Sequence, residues 1–524
     1  MPAKFTFMIS WLSYVFVFFP IALWIVAAIY RSFRVDRLIE FTKNIFLAAI
    51  LTGVVELCLL LAEISSEQTI EILMFHWKID KVSIVFFTMV SVIGWTVLSF
   101  SKNYLWGDKK QQIFTARLIF TIASVLLLMI SGDVILFFAD WVLSGYGLRK
   151  LISLYDDRKY AIITGKKKKI MSILSASLLL VAFFIIVIST GQWDLNNIFL
   201  TSSSHAIDQS TLEWAAFFLA LAAIVKSAHI PFHGWVLGMM EAPTPVSGIL
   251  HAGLLNAGPF LIIRFSTLFD QVSVAPDILI IWGGLSAMYG TLVSFYQPAA
   301  KTRLSYSSIG HMGFSTMLSG LGLYPAAVSH LIGHSFYKAH TFLSSGSEID
   351  KYRIIQTRHI YFAKLTKWHI ISGFATGVVL FLIFSKLFKG TFFPYYPFFV
   401  LGFIITIGIS AFIVNTSVYS SYFKGLMNMS LFTITVFLSF FLFETGAEYI
   451  IPVSIKNFEY DYWLFASTTF IMIMFILLAL YAVMLKWRYL PPIPKWDVYV
   501  RNGFYLHAWF DQQIIKSSKK IIKS

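Results

Sequence analysis

Three stretches of this chain place ionisable side chains where apolar ones dominate. In the first, residues 222–264, Lys226 is followed by His229, Pro231, His233, Glu241, Pro243, Pro245, His251 and Asn256. In the second, His330, His334 and Lys338 recur every four residues, a spacing that stacks them on one helical face. In the third, residues 301–314, Lys301 opens an apolar segment and His311 lies inside it. Histidine exchanges protons near neutral pH. A lysine withdrawn from water favours its neutral form, so it too can take up and release a proton. The chemistry these types could perform is cation transfer. Rival readings are a snorkelling Lys226 at the membrane surface, structural hydrogen bonding along the histidine stripe, and a zinc pair at His330 and His334. For zinc, no suitable third ligand follows and Lys338 on the same face opposes a cation.

The elements that must position these residues follow from composition. The chain has 524 residues, of which 58% are hydrophobic and only 13% charged. Its mean hydropathy is +0.75. A soluble chain carries roughly a quarter charged residues, so too little polar surface exists here to cover a water-facing globule. The apolar residues come in continuous runs of about 20, enough to cross about 30 Å of hydrocarbon as a helix. A β-barrel would instead alternate polar and apolar residues over about ten positions. The expectation is an all-α, polytopic transmembrane helix bundle with about 14–15 spans between residues 11 and 485. The fourth and fifth spans, 116–131 and 133–148, nearly touch.

An ionisable group inside such a span is costly, and its usual explanation is function. Proline removes a backbone donor and breaks a membrane helix where the chain lines a cavity or packs inside protein. Pro231 therefore predicts a broken helix just after Lys226.

The net charge of +15 sits between the apolar runs, where basic residues orient helices, and does not point to nucleic acid. Arg31, Arg34 and Arg37 follow the first span, and Lys166 to Lys169 lie in what reads as a solvated loop after the fifth. That basic loop could also meet acidic membrane lipids or a partner protein. Residues 191–211 carry no Lys or Arg but hold Asp194 and Asp208. The alternation predicts an N-terminus outside and a C-terminus in the cytoplasm, in a cell inner membrane. Cys58 is the single cysteine, so no disulfide within the chain and no thiolate metal site is expected. The first apolar run reads as a retained helix rather than a signal peptide. The tail, 486–524, is broken by Pro491, Pro492 and Pro494, and 498–515 could lie on the membrane as an amphipathic helix.

Sequence blocks carry a resemblance. "KSAHIPFHGW", "APTPVSGILHAG" and "NAG" fall within residues 226–258; "KTRLSYSSIGHMGF" spans 301–314 and "HLIGHSFYKAHTFLSSGS" spans 330–347. Upstream stand "SKNYLWGDKKQQIF" and "SGDVILFFADW". Together, over roughly residues 75–350, they resemble the proton-translocating antiporter-like subunits of complex I, Mrp antiporters and Dab-type inorganic carbon transporters. The resemblance implies two inverted five-helix repeats, each with a broken helix. The implied units are residues 1–115, the repeats 116–265 and 266–415, helices 416–485, and the tail 486–524. It also implies a hydrated line of side chains: Lys226 on the broken helix, His251 on the next, and Lys301, His330, His334 and Lys338 at the centre. His229, His233, Glu241 and His311 are secondary members. Lys386, in "LIFSKLFKG", is the candidate for the second broken helix.

One departure is informative. Complex I and Mrp members carry a glutamate after the tryptophan of the fifth helix, paired with the broken-helix lysine. Here that position holds Val142, and Asp140 is two residues away. The blocks at 141–172 and 500–514 look like the Dab-type membrane subunit. That branch implies a large soluble zinc-binding partner resembling a β-carbonic anhydrase, docked on the cytoplasmic face. It also implies bicarbonate uptake driven by H+ or Na+, and no cofactor or metal on this chain. Expected alternatives are a proton-pumping subunit of complex I or an Mrp antiporter, and a membrane anchor whose ion path is inactive.

Overall fold

The computed structural model describes residues 3–72, 74–204, 207–347, 367–392, 394–416, 422–451, 462–487, 494–508 and 511–512. These residues form a helical bundle whose one sheet is a small hairpin. Among them, eight helices are long and apolar enough to cross a membrane, and two shorter apolar helices accompany them.

The chain opens with α1 (Ala3–Ala28) and α2 (Val35–Leu61). Strands β1 (Gln68–Ile72) and β2 (Phe75–Ile79) then pair antiparallel, Gln68 opposite Ile79. They are followed by α3 (Lys81–Tyr104), α4 (Gln111–Ile130), α5 (Val134–Ile152) and α6 (Lys159–Thr190). The fourth and fifth apolar runs are thus separate helices. They part at Asp133, whose carboxylate caps α5 through Leu136 N (2.7 Å) and accepts from His76 N in β2 (3.0 Å). That bond fixes the hairpin to the start of the helix carrying Trp141. The polar segment 191–211 contains a further short helix, α7 (Leu195–Ser203), capped by Asp194.

Helix α8 (Gln209–Lys226) ends at Lys226. After an irregular turn come α9 (Gly234–Leu237), α10 (Thr244–Ala252), α11 (Ala257–Arg264) and α12 (Ser266–Phe269). The turn occurs where Pro231 lacks a donor and Ala228 takes a left-handed φ of 57°. Ser227 compensates locally by donating its hydroxyl to Leu255 O at 2.6 Å. The break predicted from Pro231 is present.

Helices α13 (Val274–Phe295) and α14 (Ala300–Gly320) meet along a glycine seam. A Cβ on Gly290 would lie 2.4 Å from Gly310 N, and one on Gly313 2.4 Å from Ala287 N. Backbone thus touches backbone, the close approach small residues permit between membrane helices. Helix α15 (Tyr324–Leu343) packs on α14 and α10. Then come α16 (Lys367–Lys389), α17 (Tyr396–Thr416), α18 (Tyr422–Glu448) and α19 (Tyr462–Trp487). Gly402 meets Phe381 and Gly377 meets Thr406, so α16 and α17 run antiparallel. A short α20 (Pro494–Arg501) leads into a turn at Gly503–Tyr505 that docks on the bundle. Residues 509, 510 and 513–515 of the expected amphipathic stretch lie outside the described residues.

Candidate functional site

Lys226 is the last residue of α8, at the edge of the break before α9. It is buried, and its ammonium donates to Trp141 O (2.8 Å) and Ser144 Oγ (3.1 Å) on α5. The same nitrogen lies 4.3 Å from the centre of the Trp141 ring. Among the described residues no carboxylate is within ion-pair distance of it. Asp140 is buried one position before Trp141, but its carboxylate accepts from Ser131 Oγ at 3.1 Å. Val142, at the position where relatives of the complex I type were expected to carry glutamate, is 42% exposed. The helical turn at 140–144 thus sends Trp141 and Ser144 to Lys226 and Val142 outward. The ammonium is held by neutral acceptors and an aromatic face alone.

On the far side of the bundle the four-residue spacing on α15 has the expected result. His330 and His334 face α14, where His311 completes a cluster. His311 Nδ1 is 3.3 Å from His330 Nε2, and the His311 and His334 rings are 4.9 Å apart. A cavity of about 410 Å³ touches all three, walled by Phe314, Tyr337 and Phe440. His334 is buried with both ring nitrogens lacking a protein partner. Buried polar atoms of this kind are satisfied by water. Lys338, one turn further on, donates to Leu304 O at 3.1 Å. Lys301 lies a turn before Leu304, half-buried, in a separate opening of about 670 Å³ beside Tyr104 and Thr244.

His251, on α10, lies against α15. It is fully buried, stacks on Phe342 at 4.3 Å, and leaves both ring nitrogens without a protein partner. Phe342 stands one turn beyond Lys338 on α15, so the His251 ring lies beside the end of the histidine and lysine stripe. Asn256 ties this region to α15 by donating to Ser335 Oγ at 2.7 Å.

The remaining sequence candidates are placed as follows. His229 is buried and bonds Thr316 on α14 (3.0 Å). His233 is buried against Tyr289 on α13 (3.1 Å). Glu241 lies on a single 3-10 turn, and its side chain is outside the described residues. Lys386 is exposed on the last turn of α16 and bonds Gly390 O (2.8 Å), apart from the central line. Among the described residues no group of three His, Cys, Asp or Glu is arranged to hold a metal.

Two charged sites have partners that the sequence does not show. Lys389 pairs with Glu444 of α18 at 2.6 Å and also with Glu448. Glu444, 1% exposed, was visible as an acid inside an apolar run. The basic tetrad at 166–169 is the second, and here the reading of a solvated loop is corrected. These lysines lie in α6, and Lys168 is 2% exposed with its ammonium 3.8 Å from the centre of the Trp235 ring. Lys167 pairs with Asp511 of the tail. The broken helix and the tail cover this end of α6, which no local pattern announces.

The chain matches two family models. One is described as NADH:quinone oxidoreductase/Mrp antiporter, TM, and covers residues 131–367. The other, NADH-Ubiquinone oxidoreductase (complex I), chain 5 N-terminus, covers residues 72–115. A probable inorganic carbon transporter subunit DabB2 of Halothiobacillus neapolitanus is 38% identical over 304 residues, 57% of this chain and 55% of the relative. The match therefore spans little more than half of that protein. A probable DabB subunit of Hydrogenovibrio crunogenus is 27% identical over 450 residues, covering 84% of this chain and 83% of the relative. Among solved structures, the Mrp complex from Dietzia sp. superposes with a TM-score of 0.59 at 21% identity, over 96% of this chain and 60% of that one. The membrane-bound sulfane sulfur reductase, an archaeal respiratory membrane complex, gives 0.55 at 13% identity, over 95% and 99%. These two likenesses concern the fold. With the broken helix, the buried lysines and the matched blocks in hand, the chain carries both matched regions of the antiporter-like membrane subunits of the NADH:quinone oxidoreductase and Mrp type, and it is similar to the DabB subunits.

Proposed function

We propose that this chain is the cation-translocating, energy-coupling subunit of a two-component inorganic carbon uptake complex, and that the cation is a proton. The observation that carries the reading is the set of basic groups withdrawn from water across the bundle, Lys226, His251, and the His311, His330, His334 and Lys338 cluster, of which His251 and His334 leave both ring nitrogens without a protein partner. Each can hold a proton, and none of the ones named is locked to a carboxylate among the described residues. The names of the DabB relatives supply the carbon-uptake part.

In this reading a proton moves between Lys226 and Lys338 through His251 and water, and Lys301 faces the outlet beside Lys338. The charge arriving at Lys226 alters the fifth and sixth helices that flank it. The partner is a large soluble zinc-binding protein with carbonic-anhydrase-like chemistry, seated on the cytoplasmic face. That partner hydrates CO₂, and this chain gives the reaction its direction. The N-terminus lies outside and the C-terminus in the cytoplasm.

The test is uptake of labelled bicarbonate by cells that depend on the complex. Lys226→Ala is expected to bring uptake to background with normal amounts of assembled protein. Unchanged uptake with normal assembly would instead favour a membrane anchor.

A further inference from the structure

The C-terminal segment does more than close the bundle's end. Gly503, Phe504 and Tyr505 all take left-handed φ values of 58°, 51° and 57°, a costly run for the two non-glycine residues. The run is held because Gly503 is pressed onto α13 and α14. A Cβ there would lie 2.6 Å from Tyr289 Oη and 2.8 Å from Tyr306 Oη. Tyr289 donates its hydroxyl to Gly503 O at 3.0 Å.

That bond sets the state of His233. Tyr289 has one O–H, and Gly503 O takes it. The 3.1 Å contact between Tyr289 Oη and His233 Nε2 is then donated by the histidine. A neutral His233 therefore carries its proton on Nε2 and leaves Nδ1 bare. Nδ1 is buried and has no protein partner. It can receive a proton.

The donor side is supplied by the same segment. The His507 ring lies 6.1 Å from the His233 ring, and His507 itself is half-buried, between solvent and the interior. Its Nδ1 also lacks a protein partner. Asp511 pairs with Lys167 through one oxygen, and its other oxygen is buried, unpartnered and beside Gly234 at the start of α9. Burial holds His507 below the ordinary histidine range; Asp511 pulls it up and Lys167 pushes it down. Beyond Lys167 stands Lys168, whose ammonium lies 3.8 Å from the centre of the Trp235 ring on α9, the helix that follows the break after Lys226.

We propose that His507 and Asp511, with His233, form the port through which a proton passes between solvent on this face and Lys226. The proposal rests on the reading of Lys226 as a translocating group. The step moves one proton and no electrons: it arrives on one ring nitrogen of His507, leaves from the other, and crosses by water to His233 Nδ1.

The experiment uses sealed membrane vesicles carrying the full chain and a pH-sensitive dye to follow decay of an imposed pH gradient. A protease-cleavable C-terminal tag reports which side bears the segment. His507→Ala and Asp511→Asn are expected to slow the decay by on the order of tenfold. Imidazole added on the tail's side should restore His507→Ala and leave Lys226→Ala blocked. Wild-type rates in both tail variants, with Lys226→Ala blocked, would overturn the port and leave the translocation reading standing. So would slow decay that imidazole does not restore, accompanied by a lower Tm, which marks a merely structural latch. Wild-type decay in Lys226→Ala would overturn the translocation reading and the port with it.

Discussion

Two lysines in this bundle are withdrawn from water in opposite ways. Lys389 meets Glu444 at 2.6 Å and Glu448 besides, so its charge is balanced within the protein. Lys226 meets a carbonyl, a hydroxyl and an indole face, none of them charged. Removing one member of a buried ion pair leaves the other uncompensated, which makes such a pair a structural commitment. An ammonium on neutral acceptors has no such tie. Its proton can leave without stranding a carboxylate in the apolar interior. The same side chain is thus a fastener in one place and, in the proposed function, a carrier in the other.

The comparison can be broken most directly at the carrier. Lys226→Met keeps the stem and deletes the charge. It should lower proton-linked transport by on the order of a hundredfold, with little change in thermal stability. Transport measured beside a melting curve separates the two effects. At the fastener the pattern should invert. Lys389→Ala leaves Glu444 buried and alone, and should destabilise the protein by about 3–5 kcal/mol. The readout is the yield of folded protein and its Tm in detergent. Converting one site into the other is the sharper test. Ser144→Asp puts a carboxylate where the Ser144 hydroxyl now accepts from Lys226, and should slow transport by roughly tenfold by holding the proton in place. A transport rate equal to wild type would show that a neutral seat is not what Lys226 needs. The smallest effect belongs to Lys386→Ala, on an exposed helix end. It should move stability by no more than about 0.5 kcal/mol and leave transport unaltered, checked in the same assays.

Much of the frame was legible because hydropathy acts on runs. A membrane helix announces itself over about 20 residues. Pro231 announced the break after Lys226, and the four-residue spacing of His330, His334 and Lys338 announced a shared face. What single residues do at long range was not legible. The His311 contact with His330 joins two helices across a turn, and neither local pattern names the other. The partner of Lys389 could not be read off, because Glu444 is 55 positions further along. The β1–β2 hairpin is too short, and its alternation too irregular, to stand out between two apolar runs. The docking of the tail on Tyr289, His233 and Lys167 depends on tertiary contact alone. The missing acid beside Lys226 was readable in advance, since Val142 occupies the position directly after Trp141. Its replacement by Trp141 O and Ser144 Oγ was not.

The glycine seam has a mechanical corollary. With the main chains of α13 and α14 in direct contact at Gly290 and Gly313, neither helix can slide or roll against the other without a steric collision. Tyr289 and His311 therefore travel together as parts of one stiff plank. Under the proposed function, any shape change that conveys work from the ion route to an outside protein has to bend elsewhere. The unwound stretch between Lys226 and Gly234 is fastened to that plank, by His229 to Thr316 and by His233 to Tyr289, and has to move with it.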